Sequence, residues 1–231
     1  MQTKSIWRAK WEQIICPHFP KDGYALDCGC GPAYYRDLLG DTYIGVDIQH
    51  KFPKNGNYVR GSASDLPFRD DIFDFVLVSA LLEHVKDPSR VVLEVHRILK
   101  EDGCAALSTP SRFGVKYETL KAFKGYDIED LERIAYSHSL KVQKKFIVGG
   151  PLSILFAEIE SIIRSKIKVE PCETPSFEGE QYYRTLSRSL GGKMALKTRG
   201  TILPLIIQIE KKLRLTIPYQ GSCIFCSKVS Q

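Results

Sequence analysis

The stretch ALDCGCGPAYY, residues 25–35, with YIGVDI, residues 43–48, close behind it, limits what this chain can fold into more than any other feature. A short apolar strand running into Gly29-x-Gly31 lets the backbone turn tightly and approach a ligand with no Cβ in the way. Asp47 then stands at the tip of the next strand, where a carboxylate can accept hydrogen bonds from both hydroxyls of a ribose. A glycine bend followed by an acid at the adjacent strand tip is the general pattern for a nucleoside-containing cofactor on a doubly wound sheet.

The rest of the first 150 residues fits such a sheet. Residues 6–16 read as a short amphipathic helix closed by Pro17 and Pro20. NYVRGSAS (57–64) is a third strand, and FDFVLVSAL (73–81) a fourth with the continuous apolar run of a strand covered on both faces. Asp87-Pro88 opens a helix, with Asp as cap and Pro where its missing N–H costs nothing. Val91, Val92, Val95, Ile98 and Leu99 share its buried face, and Gly103 is expected to end it. CAALSTP (104–110) is a fifth strand. Asp127 caps a further helix to about His138, and KVQKKFIVGG (141–150) is a sixth strand. Strands alternating with helices at short intervals predict an α/β fold, a parallel sheet with helices on both faces.

Residues 151–220 break the rhythm. Leu155, Ile159, Ile162 and Ile163 fall on one face of a helix, and Ile202, Leu205, Ile206, Ile209 and Leu213 on one face of another. GSCIFCSKV (221–229) reads as a closing strand. The organisation expected is an N-terminal helix (1–22), a cofactor-binding core (23–150), a helical cap forming the substrate region (151–220) and the core's last strand (221–231).

Composition narrows the function. With 43% hydrophobic and 26% charged residues in 231, the chain can bury a core and is not disordered. No uncharged apolar run reaches the roughly 18 residues of a membrane span. The start, MQTKSIWRAKW, lacks the apolar core of a signal peptide. Seven cysteines, an odd number, argue against a secreted disulfide scaffold. A cytoplasmic protein without a transmembrane segment is expected. Residues 141–231 carry 15 Lys/Arg against 7 Asp/Glu, whereas the first 140 carry 18 against 20. The positive charges are dispersed, so a solvated surface is preferred over a nucleic-acid partner. The 201–215 helix, with Lys211, Lys212 and Arg214 beside its apolar stripe, leaves a weak peripheral membrane contact open.

The cofactor is narrowed by what is missing. A dinucleotide site wants Gly-x-Gly-x-x-Gly; here Tyr34 takes the last place and Asp27 stands inside the loop. A carboxylate is unfavourable beside pyrophosphate but suits a cationic group such as the ammonium of S-adenosylmethionine. Together, LDCGCGPAYY, VDI, GSASDLPFRDDIFDFVLVSALLEHVKDP and VVLEVHRILKEDGCAALSTP resemble the motifs of the class I S-adenosylmethionine-dependent methyltransferases, and within them the type 11 methyltransferase family. The similarity covers about residues 24–110. It implies a Rossmann-like, mostly parallel seven-stranded sheet with the helical cap inserted before the last strand, and S-adenosyl-L-methionine as cofactor.

By that resemblance Asp27 lies near the methionine ammonium, with Cys28, Gly29 and Gly31 lining the loop. Asp47 binds the ribose and Ile48 packs on adenine. In Ser64-Asp65-Leu66, Asp65 accepts from the adenine amino group; a cap on the turn before Pro67 is the rival reading. Ser79, Ala80 and Leu81 face the methionine part. His84 either takes a proton from an acceptor hydroxyl or orients a loop; alignment and water exclusion carry much of a methyl transfer without a base. Ala33 stands where the family more often has glycine. Asp70, Asp71 and Asp74 read as solvated turn acids. Cys223 and Cys226 form CxxC, but on a strand they point to opposite faces, so no zinc or other metal site is expected. The implied activity is in-line methyl transfer to a sugar, lipid or other metabolite. A non-catalytic cofactor-binding protein, an RNA-directed methyltransferase and a nucleotide-dependent oxidoreductase are the alternatives.

Overall fold

β1 (Ala25–Cys28) is buried along its whole length, because parallel strands pair with it on both sides and both faces of the sheet are covered. On one side lies β2 (Tyr43–Asp47), followed by β3 (Asn57–Arg60); on the other lie β4 (Phe73–Ser79) and β5 (Leu99–Pro110). β7 (Gly221–Lys228) enters antiparallel between β5 and the edge strand β6 (Leu140–Val148), giving the order β3-β2-β1-β4-β5-β7-β6. This is the mostly parallel, seven-stranded sheet that the resemblance implied; the alternation of strands and helices by itself predicted a parallel sheet, without the antiparallel β7. The computed structural model describes residues 6–49, 56–117, 122–152, 155, 205–206, 208–209 and 221–229. Most of the 151–220 segment, and the link at 50–55, therefore lie outside the described residues. Among the described residues no helix is long and apolar enough to cross a membrane.

The chain leaves β1 for β2 on one side, and later fills the other side with β4. Such a switch point opens a crevice at the carboxyl ends of the strands. One face of the sheet is covered by α3 (Pro88–Ile98) and α4 (Ile128–Ser137), the other by α1 (Ile6–Ile15) and α2 (Arg36–Leu39). α3 starts as its sequence dictates: Asp87 Oδ1 accepts from Arg90 N at 3.2 Å, and Pro88 follows. Its Val91, Val92, Val95 and Ile98 are fully buried, each contributing about 1.5–3 kcal/mol. Trp11 of α1 is half-buried against Gly221, where an added Cβ would meet its ring at 2.6 Å. It is a packing residue, seated against the sheet where the end of β5 pairs with the start of β7.

Two local expectations are corrected. α3 ends at Ile98, not Gly103, because Leu99 already pairs with Phe73 and opens β5; the residues before Cys104 bulge out of register. Asp74 is not a solvated turn acid. It lies on β4, accepts from Tyr24 N at 2.9 Å and receives Lys100 Nζ at 2.9 Å. Asp70 and Asp71 are exposed, yet each meets a cation, Arg97 and Lys228 respectively.

α4 is locked at its start. Asp127 takes the N-cap, and Asp130 accepts its backbone N–H at 3.2 Å. Asp130 also receives Arg112 through Nε at 3.0 Å and Nη2 at 2.7 Å. The Arg112 and Asp127 contacts hold its carboxyl below the usual range despite burial. Asp130→Asn removes this charge-assisted fork, so urea denaturation is expected to show a loss of about 1–3 kcal/mol; a loss under about 0.5 kcal/mol would mean the fork is idle in solution.

Candidate functional site

Residue parity on β1 and β2 directs Asp27 and Tyr43 to the same face, the one covered by α1 and α2. The Tyr43 phenol donates to Asp27 Oδ2 at 3.0 Å. To do so it passes over Gly45, the register partner of Asp27; an added Cβ there would stand 2.8 Å from the Tyr43 hydroxyl and 2.9 Å from Cys30 Sγ. Gly45 is thus a required glycine that sequence reading missed. Asp27 is 2% exposed. Burial pushes its carboxyl up to about 7; the Tyr43 hydrogen bond works against this and the Asp47 charge adds to it.

The bend after β1 is built on positive φ: Gly29 at +74°, Gly31 at +48° and Ala33 at +57°. The first two are free for glycine; Ala33 holds a left-handed conformation that costs an L-residue roughly 1–2 kcal/mol and that glycine would adopt without that cost. The bend is tied to β2 by its own backbone. Gly29 N and Cys30 N both donate to Val46 O, at 2.8 and 3.0 Å. Gly31 N donates to Asp47 Oδ2 at 2.8 Å, and Gln49 N to Asp47 Oδ1 at 3.0 Å. Gln49 Nε2 returns to Gly31 O at 2.6 Å. Each Asp47 oxygen takes one of these N–H groups, and a carboxylate oxygen has capacity for a second donor. Gln49 is a second residue that the sequence did not single out. Beside Asp47, Ile48 is 70% exposed.

The tip of β4 closes the other side. The Leu81 side chain lies against the bend, 2.8 Å from where a Cβ on Gly29 would stand. Ala80, at φ +51°, is exposed and donates its N–H to Ser108 O at 2.9 Å. Ser79 Oγ lies 3.1 Å from the buried Tyr35 hydroxyl and accepts from Ser108 Oγ at 3.1 Å. Glu83 is fully buried, and its Oε2 accepts from Thr109 Oγ1 at 3.1 Å. Phe123 N donates to Glu83 O at 2.6 Å. His84 is half-buried, with Nε2 3.8 Å from Glu83 Oε1. This pair therefore stands on the β5 side of β4, away from Asp47.

The structure brings Asp27, Gly29, Gly31, Asp47, Ile48, Ser79, Ala80 and Leu81 to the carboxyl ends of β1, β2 and β4. Two candidates contribute differently from the rest. The side chains of Cys28 and Leu66 are buried in the core on the α3 face, so only their backbones can reach a ligand. Asp65 is exposed, in a tight turn whose N–H donates to Ser62 O at 3.1 Å, and Ser64 is half-buried beside it. Cys223 and Cys226 fall in the cores on opposite faces of the sheet. Among the described residues no group of three potential metal ligands occurs.

Comparison with known proteins gives a consistent placement. A family model described as a methyltransferase domain matches residues 26–107. A demethylmenaquinone methyltransferase from Bacillus velezensis is 32% identical over 144 residues, covering 53% of this chain and 61% of that protein. An uncharacterized methyltransferase from a Mycobacterium species is 34% identical over 113 residues, covering 45% of this chain and 43% of that protein. The chain thus spans less than two thirds of the length of these two relatives. Among solved structures, an S-adenosylmethionine-dependent methyltransferase from Archaeoglobus fulgidus is similar with TM-score 0.58 and 20% identity, over 96% of this chain and 93% of that one. The [4+2]-cyclase SpnF is similar with TM-score 0.58 and 14% identity, over 100% of this chain and 86% of that one. At these identities the structural likeness shows the fold.

Asp27→Asn keeps an acceptor for Tyr43 and removes the charge that burial opposes. The folded carboxyl titrates near 7 and an ordinary one at 3.8. Between those values the native state binds more protons than the unfolded chain, so wild-type stability falls as pH rises through that window. Thermal melts should therefore place Asp27→Asn above wild type at pH 8 and level with it near pH 4. A difference independent of pH would contradict a titrating, buried Asp27.

Proposed function

We propose that this chain, which belongs to the class I S-adenosylmethionine-dependent methyltransferases, transfers the methyl group of S-adenosyl-L-methionine to a small or medium-sized acceptor. The carrying observation is the pair of acids at adjacent strand tips around the glycine bend. Asp47 is already oriented by Gly31 N and Gln49 N, and the remaining capacity of its two oxygens suits two ribose hydroxyls. Asp27 suits the methionine ammonium, because a nearby cation favours the ionised carboxyl that burial alone disfavours. The same carboxyl disfavours a pyrophosphate, which argues against a nucleotide-dependent oxidoreductase. Ile48 offers its exposed side chain to the adenine face, and Asp65 an acceptor to the adenine amino group.

When bound, the cofactor supplies an electrophilic methyl on a sulfonium. The chain's own residues bind and align. Ser79, Ala80 and Leu81 flank the methionine part, and Leu81 keeps water from the bend it covers. His84 takes a proton from an acceptor hydroxyl or, failing that, anchors the loop after β4. Glu83, itself held by Thr109, sets where that imidazole stands. Residues of the 151–220 segment complete the acceptor pocket in this reading. A sugar, a lipid or another metabolite is the acceptor class, in line with a relative named for demethylmenaquinone.

The likeness to a [4+2]-cyclase gives a second reading some weight, since a chain with this fold is named for chemistry other than methyl transfer. Binding and turnover are therefore tested separately. S-adenosylhomocysteine is expected to raise the melting temperature and NAD to leave it unchanged. In calorimetric titration, Asp47→Ala should weaken S-adenosylhomocysteine by about 1–3 kcal/mol; unaltered affinity removes the ribose assignment. Retained binding with no methyl transfer to any of a broad acceptor panel supports the non-catalytic reading, and steeply salt-dependent RNA binding the RNA-directed one. With an acceptor in hand, His84→Ala should lower kcat more than cofactor affinity if His84 takes the proton, and leave kcat alone if it only orients the loop.

A further inference from the structure

We infer that Arg90, Glu94 and Arg97 of α3 are positioning residues that set adenine selectivity by holding the backbone on either side of Asp65. The inference rests on the proposed role of Asp65 as acceptor for the adenine amino group. These three residues occupy one stripe of α3, at positions i, i+4 and i+7, beside the apolar stripe that faces the sheet. Their partners are main-chain groups of the turn that carries Asp65. Arg90 Nε donates to Ser64 O at 3.1 Å. Glu94 Oε2 accepts from Leu66 N at 2.7 Å. Arg97 donates through Nη2 to Leu66 O at 3.0 Å and through Nη1 to Phe68 O at 2.8 Å. Glu94 and Arg97 also grip each other, at 3.0 and 2.8 Å, and Asp70 takes Arg97 Nη1 at 2.7 Å.

The arrangement explains how an exposed acid can discriminate. Glu94 is 4% exposed, and its hydrogen bonds to Arg97 hold its carboxyl below the usual range, so the clamp stays ionised. Asp65 itself makes one described backbone bond, to Ser62 O; the residue before it and the residue after it are fixed by the helix. Only its side-chain torsions remain to be ordered when a base arrives, which lowers the entropy cost of binding. A fixed carboxylate also rejects as well as accepts. Adenine presents an N–H at its 6-position, hypoxanthine a carbonyl oxygen. A mobile Asp65 could swing from that oxygen; a clamped one must face it, leaving two acceptors opposed.

The test compares S-adenosylhomocysteine with S-inosylhomocysteine, which differ at that one position, by calorimetric titration of the full chain. Wild type is expected to prefer the adenine form by about 10-fold or more. Arg97→Lys and Glu94→Gln should each shrink that preference by about 3-fold or more. Asp65→Ala should abolish it, and Arg97→Lys added to Asp65→Ala should change nothing further. Arg90→Met, at an exposed position whose loss spares the fold, should shrink the preference by a smaller factor and keeps the test open if Glu94→Gln fails to fold. A merely structural role would weaken both ligands equally, and that result overturns the clamp while leaving Asp65 in place. An undiminished effect of Arg97→Lys on the Asp65→Ala background overturns it too. Unchanged preference in Asp65→Ala alone removes the role of Asp65, and the clamp with it.

Discussion

Three backbone N–H groups of the bend after β1 are held by β2, two on Val46 O and one on the Asp47 carboxylate. Without those bonds a run containing two glycines would be among the most mobile parts of the chain, since glycine loses the most freedom on ordering. With them the bend has one shape, and Asp47 is oriented by the loop it orients. Everything placed at the carboxyl end of the sheet depends on this mutual hold. Leu81 can cover Gly29 only because the glycine stays where it is, and Asp27 can be buried only because the bend closes above it.

Burying Asp27 is costly, and among the described residues the Tyr43 hydroxyl answers that cost as a side-chain donor. Tyr43 reaches it over Gly45, a position where even a methyl group would collide. The result is a carboxyl that titrates near 7 when no cation is beside it. A site designed for stability alone would avoid such a group. Its presence at the crevice, next to a second acid, follows the usual concentration of perturbed acids at functional sites. The strained conformations of Ala33 and Ala80 lie on either side of the same crevice, as backbone strain at functional sites tends to do.

α3 serves two neighbours at once. Its valines and Ile98 bury against the sheet, and its charged edge holds the turn that carries Asp65. This was hidden from sequence reading for a definite reason. Helical spacing shows which residues share a stripe, but a charged stripe on an amphipathic helix reads as solvated surface. Only the packing of the 61–70 segment across that stripe turns surface charges into backbone partners. Tyr43, Gly45 and Gln49 were missed for the same reason, because each acts on a strand or loop distant in sequence.

By itself the sequence determined the alternation of strands and helices, the faces they bury and the two acids at the strand tips. Those follow from local periodicity and from the backbone freedom of glycine, which need no knowledge of neighbours. It misplaced the end of α3, since pairing of Leu99 with Phe73 overrode the expectation that Gly103 would stop the helix. Tertiary structure alone decided the strand order, the antiparallel entry of β7 and the partners of Asp27, Asp47 and Leu66. A hydrogen bond needs two groups within about 3 Å in the right direction, and for residues far apart in the chain that distance is set by sheet register and helix docking.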